Sequence, residues 1–190
     1  MKSKLKDFHH YKGSGLTRFE KVEKKVIEHI LSTKIPDQNR EDSQTFEFLH
    51  ASGCMQVGKI LAQKRNLDVN LAGTACVLHD IFVIINGTYK NHGIEGAAIA
   101  EKILREIGGF PEEEIRIITQ AVAHHSEKEV KSNDPYTELV KDADVFENSL
   151  YKNAEGFYRI HKPPHIFQKY VKRIIKVRNE LNLPEKPIFQ

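Results

Sequence analysis

Val77-Leu78-His79-Asp80 sets an imidazole and a carboxylate side by side at the end of an apolar run. Other histidines and aspartates lie on helical patterns before and after it, and the rest of the chain reads as scaffold around this pair. The run before the pair is built from small residues, Ala72, Gly73, Thr74, Ala75 and Cys76, which suit a helix packed closely on a neighbour. Asp68 can cap that helix, and Leu71, Ala75, Leu78 and His79 lie along one side of it.

Helical spacing recurs on both sides of this stretch. Thr17-Arg18-Phe19-Glu20 reads as a capping box, and Phe19, Val22, Val26 and Ile30 predict an amphipathic helix over 18–31. Pro36 to Asp42 is a polar connection. Asp42 or Ser43 can cap a helix over about 44–65, where Phe46, His50, Gly53, Val57, Ile60 and Leu61 share a face and turn His50 inward. Ile81 to Ile85 reads as a buried loop rather than a strand, closed by the turn Asn86-Gly87. After Asn91-His92-Gly93, a helix runs through Ile99, Ile103, Leu104 and Ile107 to Gly108-Gly109. Its opening residues, Gly96, Ala97 and Ala98 among them, let another backbone come near.

Pro111 and three glutamates open a further helix with Ile115, Ile118, Val122 and His125 as its inner stripe. Asp134-Pro135 starts one that runs to about Tyr151 and carries Asp142 and Asp144. Gly156 and Pro163-Pro164 break the chain. Phe167, Tyr170, Val171, Ile174, Val177 and Leu181 then predict a final amphipathic helix. The fold class is all-α: a single helical domain over 1–190, a core over 44–151, a C-terminal helix and a flexible arm over 1–15. His9 and His10 fall on that arm as surface residues.

Composition narrows the function classes. Hydrophobic residues make up 39% of the 190, as in soluble globular chains, and no continuous apolar run approaches the roughly 18 residues of a membrane span. The basic start, Met1 to Lys6, has no apolar segment behind it, so a cytoplasmic location is the default expectation. Cys54 and Cys76 form no CxxC pair and read as reduced core residues. A formal charge of +3 is too small to point to nucleic acid. The last 30 residues carry seven Lys or Arg against two Glu, which reads as a solvated helix face.

The candidate metal ligands, in chain order, are His50, His79, Asp80, His92, His124, His125 and Asp144. Imidazole and carboxylate together suit Fe, Mn, Zn, Co or Ni better than Ca or Mg alone. Adjacent helical residues are about 100° apart, so His79 and Asp80 can converge only where a helix ends and the chain bends. His124 and His125 can both contribute only to a wide site, such as a binuclear centre with ions roughly 3.5–4 Å apart. Asp142 and Asp144 lie about 200° apart on their helix, and periodicity does not choose between them. Lys90, Lys128, Lys141 and Arg159 flank these segments as candidate phosphate contacts or ordinary surface cations, and Tyr158, His161 and His165 can line the mouth of the site or pack the last helix. The chain has no P-loop and no HExxH motif.

The order His50, His79-Asp80, Asp144 resembles the HD superfamily of metal-dependent phosphohydrolases. So do the local pieces Leu78-His79-Asp80-Ile81, His92-Gly93-x-Glu95-Gly96-Ala97, Ala121-x-x-His124-His125 and Lys141-Asp142-Ala143-Asp144. The resemblance spans about Phe46 to Leu150. It implies an all-helical fold with His50, His79, Asp80 and Asp144 as primary ligands, and it favours Asp144 over Asp142. It also implies His92, His124 and His125 as the second-metal set of binuclear members, which include the HD-GYP cyclic-dinucleotide phosphodiesterases and the diadenosine-tetraphosphatase-like branch. This chain has Ile81-Phe82-Val83 where the HD-GYP signature continues with Gly-Lys, and it lacks the Gly-Tyr-Pro.

The expected function is hydrolysis of a nucleotide or related phosphate ester by metal-activated water, with one or two divalent ions drawn from Fe, Mn, Co, Ni, Zn or Mg. Asp80, His92 and His125 are the expected catalytic residues, His92 or His125 acting as general acid where no second ion is bound. The expected partner is the small-molecule substrate, with no membrane, no specific nucleic acid, and room for a homodimer. The rival readings are a di-iron oxygenase on the same helical core and a metal- and nucleotide-binding sensor without turnover.

Overall fold

The computed structural model describes residues 15–190. The expected arm lies, up to residue 14, outside the described residues, as do His9 and His10. Among the described residues the regular structure is helical, with no strand. The helices are α1 (Arg18–Ser32), α2 (Gln44–Lys64), α3 (Val69–Leu78), α4 (Ile81–Asn86), α5 (His92–Ile107), α6 (Glu112–His124), α7 (Pro135–Asn148), α8 (Ala154–His161) and α9 (Pro164–Glu180), with a 3-10 turn at Asp37–Asn39.

The caps read from the sequence form. Thr17 and Glu20 bond reciprocally as a capping box, Ser43 accepts from Phe46 N–H, and Asp68 accepts from Asn70 and Leu71 N–H. Asp134 accepts from Thr137 N–H at 2.6 Å, with Pro135 at the first helical position. Each cap satisfies backbone donors that a helix start leaves open, so helix boundaries follow local chemistry.

α3 is the axis of the fold. Residues 71–81 are all buried, and α3 packs on α1, α2, α6 and α7. A helix covered on every side is apolar all round, as this one is. The approach of α2 depends on Gly58, where an added Cβ would overlap Cys76 Sγ. Cys54 and Cys76 are free thiols in this contact layer. The stretch Val69–Asn86 has the average hydropathy and length to cross a membrane, yet 72% of it is buried inside the protein, so core packing accounts for its composition.

Three expectations are corrected. Ile81–Asn86 is a helix, not a buried loop. Ile81, Val83 and Ile84 are buried, and a buried segment must satisfy its own backbone polar groups, which a helical turn does and a loop does not. Gly87 ends it in the left-handed region at φ 69°. Gly156 does not break the chain but lies within α8, a helix supported by the Glu155–Arg159 pair and anchored by buried Tyr158. Ile60, placed on the inner face of α2, is 47% exposed, because α2 buries Ala51, Cys54, Gly58, Leu61 and Ala62 instead.

Candidate metal centre

The break between α3 and α4 falls on the His-Asp pair. Asp80 has φ −105° and ψ 23°, outside helical values, so the chain turns there and the two side chains converge. His79 Nε2 lies 3.2 Å from Asp80 Oδ2. Around them gather His50 from α2, His92 from the first position of α5, His125 just past α6, and Asp144 from α7.

The two oxygens of Asp80 face different pairs of histidines. Oδ2 lies 3.2 Å from His79 Nε2 and 3.7 Å from His50 Nε2, while Oδ1 lies 3.2 Å from His125 Nε2 and 3.5 Å from His92 Nε2. Asp144 Oδ1 stands 3.6 Å from His50 Nε2, on the first side. The result is two half-sites joined by one carboxylate, and the donor atoms of His50, His79 and Asp80, of His79, His125 and Asp144, and of Asp80, His92 and His125 each fall within 4.8 Å of one another.

What fills these half-sites follows from the protons. His79 Nδ1 donates to Cys76 O at 2.7 Å, His125 Nδ1 to Val122 O at 2.7 Å, and His92 Nδ1 to Tyr89 O at 2.7 Å. His50 Nδ1 meets the Glu147 carboxylate at 2.5 Å. With its Nδ1 proton so engaged, each ring, when neutral, presents a lone pair at Nε2. Yet His50 Nε2 and His79 Nε2 are 3.1 Å apart, and His92 Nε2 and His125 Nε2 3.0 Å apart. Facing lone pairs at that distance require positive charge between them. Asp80 Oδ1, buried and without a hydrogen-bond donor, makes the same demand. The donor set fits a divalent cation in each half-site.

The electrostatics agree. Burial opposes charge on Asp80, but His79 and His125 outweigh it and hold its pKa well below the usual carboxylate range. Asp144 is held low in the same way: burial works against it, and Lys128, His79 and His50 prevail. Burial would lower the pKa of His79, yet the Asp80 carboxylate raises it well above the ordinary value, so in the bare protein a proton competes for the place of a cation. Burial lowers the pKa of His125 to about 4, with Asp80 only partly offsetting it, so His125 is neutral at pH 7 and offers a lone pair. That favours the ligand role over the proton-donor role expected for it.

Of the seven candidates, six converge and His124 does not. Its side chain is 45% exposed and bonds Glu127 at 3.0 Å on the outer surface, because a residue about 100° round the helix from His125 points away from so compact a centre. Asp142 faces the opposite side of α7 from Asp144. There it is buried against Arg65 at 2.8 Å, Arg173 at 2.7 Å and Lys176 at 2.6 Å, and it bonds no ligand histidine. The basic C-terminal helix is thus partly committed to this internal carboxylate. Lys141 is buried and donates to Val130 O, so it is not free for phosphate, while Arg159 pairs with Glu155 on the surface. Lys128 is no surface cation: it is buried, binds Asp144 and donates to His125 O at 2.7 Å. Glu147, which sequence reasoning passed over, lies one turn after Asp144 on the same face, and that i+3 spacing was its one available signal.

The centre forms one end of a cleft of about 680 Å³. Asp42 and Tyr89 stand beside it, Phe46, Tyr151, Tyr158 and Tyr170 line the walls, and Phe157, His161 and Lys162 lie toward α8, so two of the three residues expected at the mouth or against the last helix do border the cleft. His165 is not among its lining residues. Neither the curated proteins nor the solved structures hold a match to the chain. Residues 48–149, more than half of the sequence, match the family described as HD domain. The match begins just before His50 and ends just after Glu147, enclosing the whole cluster, and with that coverage the chain belongs to the HD domain family.

Proposed function

We propose that the protein is a metal-dependent phosphohydrolase that cleaves a nucleotide or related phosphate ester. The HD family consists mostly of metal-dependent hydrolases, which supports the reaction class. The observation that carries the reading is the pair of half-sites on the two oxygens of Asp80, each facing two imidazole Nε2 atoms and opening on one cleft. His50, His79, Asp80 and Asp144 would hold the inner ion, and Asp80, His92 and His125 the outer one. Divalent cations held there supply the Lewis acidity that activates water for in-line attack at phosphorus and offset charge on the phosphoryl oxygens.

The chain's own groups prepare this. Glu147 orients His50, and the carbonyls of Cys76, Val122 and Tyr89 orient the other three imidazoles. Lys128 holds Asp144 ionised. The aromatic walls exclude water and suit the face of a base or sugar. The nitrogen-rich donor set favours Mn, Fe, Co, Ni or Zn over Mg.

The test is a screen of the metal-replete protein against nucleotides, dinucleoside polyphosphates and sugar phosphates, with Mn2+ or Fe2+ supplied. Asp80→Ala should abolish turnover of the substrate found while leaving the helical circular dichroism unchanged. Turnover retained in that variant would refute the assigned centre. An absolute need for oxygen would move the protein to the di-iron oxygenase reading.

A further inference from the structure

Each imidazole of the centre is aimed by a group at its Nδ1, and three of the four aiming groups belong to helices. Cys76 lies in α3, Val122 in α6 and Glu147 in α7. The fourth, the carbonyl of Tyr89, belongs to the connection between α4 and α5. That connection is bracketed by two left-handed residues, Gly87 at φ 69° and Asn91 at φ 56°. His92 is also the most exposed of the four side chains, at 15% against 2% or less for the others.

The polar tripeptide Arg40-Glu41-Asp42 holds this connection in place. Glu41 N–H donates to Gly87 O at 2.9 Å. The Glu41 carboxylate accepts from Thr88 Oγ1 at 2.8 Å and from Tyr89 N–H at 2.9 Å. Asp42 accepts from the Tyr89 hydroxyl at 2.8 Å. Arg40 donates to Val83 O and Ile84 O, carbonyls of α4. Among the described residues, the hydrogen bonds reaching 87–91 from elsewhere in the fold come from Glu41 and Asp42. One carboxylate gripping Tyr89 N–H therefore holds the residue whose own carbonyl, in the next peptide along, aims His92.

We propose that Glu41 is a positioning residue for the outer half-site: by clasping Thr88 and Tyr89 it fixes His92 and thereby decides whether a second divalent cation is held. The inference rests on the two-ion reading above. Glu41 borders the cleft, but its two carboxylate oxygens are taken by Thr88 and Tyr89, and it is not among the residues grouped at the half-sites. Its effect is selective, because its hydrogen bonds go to 87–89 and not to the helices that carry the inner ligands.

The experiment is equilibrium dialysis of the full-length, chelator-stripped protein against Mn2+, with bound metal measured by atomic emission. Wild type is expected to bind two Mn2+ per chain. Glu41→Ala is expected to keep the tighter ion and to weaken the second by about 10- to 100-fold, the usual effect of removing a group that orients a ligand histidine. Glu41→Gln, which keeps one acceptor oxygen, should fall between the two. Two ions bound by Glu41→Ala as tightly as by wild type would overturn the clasp and leave the hydrolase reading intact. Equal loss of both ions from a folded Glu41→Ala would overturn its selectivity. A wild type that binds only one ion would remove the outer half-site and this inference with it, whereas a wild type that binds none would overturn the metal reading itself. If Glu41→Ala does not fold, Thr88→Val removes a single bond of the clasp and is read the same way.

Discussion

His50 and His79 hang from core helices and show at most 2% of their side chains to solvent, whereas His92 stands at the first position of α5 behind an irregular connection, with 15% exposed. The inner half of the centre is thus assembled by the same burial that makes the fold. In the outer half His125 is held in the same way, but His92 is placed by hydrogen bonds across a surface connection. Buried helix packing is rigid, while surface bonds each contribute only about 0.5–1.5 kcal/mol, so the two halves should differ in how firmly they hold an ion. One protein can in this way combine a resident ion with an exchangeable one.

Single-ligand deletions give the largest test of this contrast. His50→Ala should abolish metal retention on desalting and lower kcat by at least about a thousandfold, or roughly 4 kcal/mol. His92→Ala should keep one ion and lose less. Equal losses in the two variants would erase the distinction between the halves. Glu147→Gln sharpens it from the inside. With the charge removed beside His50 Nδ1, inner-ion affinity should fall about 10- to 100-fold in a metal titration while the outer ion is unaffected.

Gly93→Ala attacks the seam between α5 and α6. An added Cβ would sit 2.6 Å from Ala123 O, a backbone atom that cannot swing aside, so the helix start must shift. A loss of about 1–3 kcal/mol in urea unfolding is expected, with the outer half affected first because His92 is the adjacent residue.

The smallest effect concerns Glu47, a buried carboxyl with no hydrogen-bond partner on either oxygen. Burial, then the fields of Asp80 and Asp42, push its pKa up to about 9. A folded pKa above the unfolded value means that the group's contribution is fully present below about pH 4.5 and is lost as pH rises toward 9. In chelator-treated protein, Glu47→Gln should therefore flatten the fall of Tm across that window, and an unchanged slope would show that Glu47 is not the titrating group.

The helices were legible because their signals are local. Caps at Thr17, Ser43, Asp68 and Asp134 and the apolar stripes of α1, α2, α6 and α9 specify helix with no knowledge of neighbours. α4 and α8 were misread for the complementary reason. Five apolar residues carry no period that separates helix from loop, and a glycine in an eight-residue helix looks like a break until Tyr158 is seen anchored beneath it. Among the ligands, His50, His79 and Asp80 could be placed from their positions on apolar faces and at a helix end. The stripe Ile115, Ile118, Val122, His125 turned His125 inward and left His124 off it, whereas Asp142 and Asp144 could be separated only by resemblance to a family, since they share one helix and only the neighbours show which side faces the centre.

The sequence by itself determined the helical class and the order of the chemistry-bearing residues, because these depend on periodicity and capping. Only the tertiary structure decided that the two oxygens of Asp80 serve different histidine pairs, that Asp142 belongs to Arg65, Arg173 and Lys176, and that a polar connector at Arg40-Glu41-Asp42 grips the segment behind His92. Those outcomes rest on directions and distances between segments far apart in the chain, and helix packing sets them.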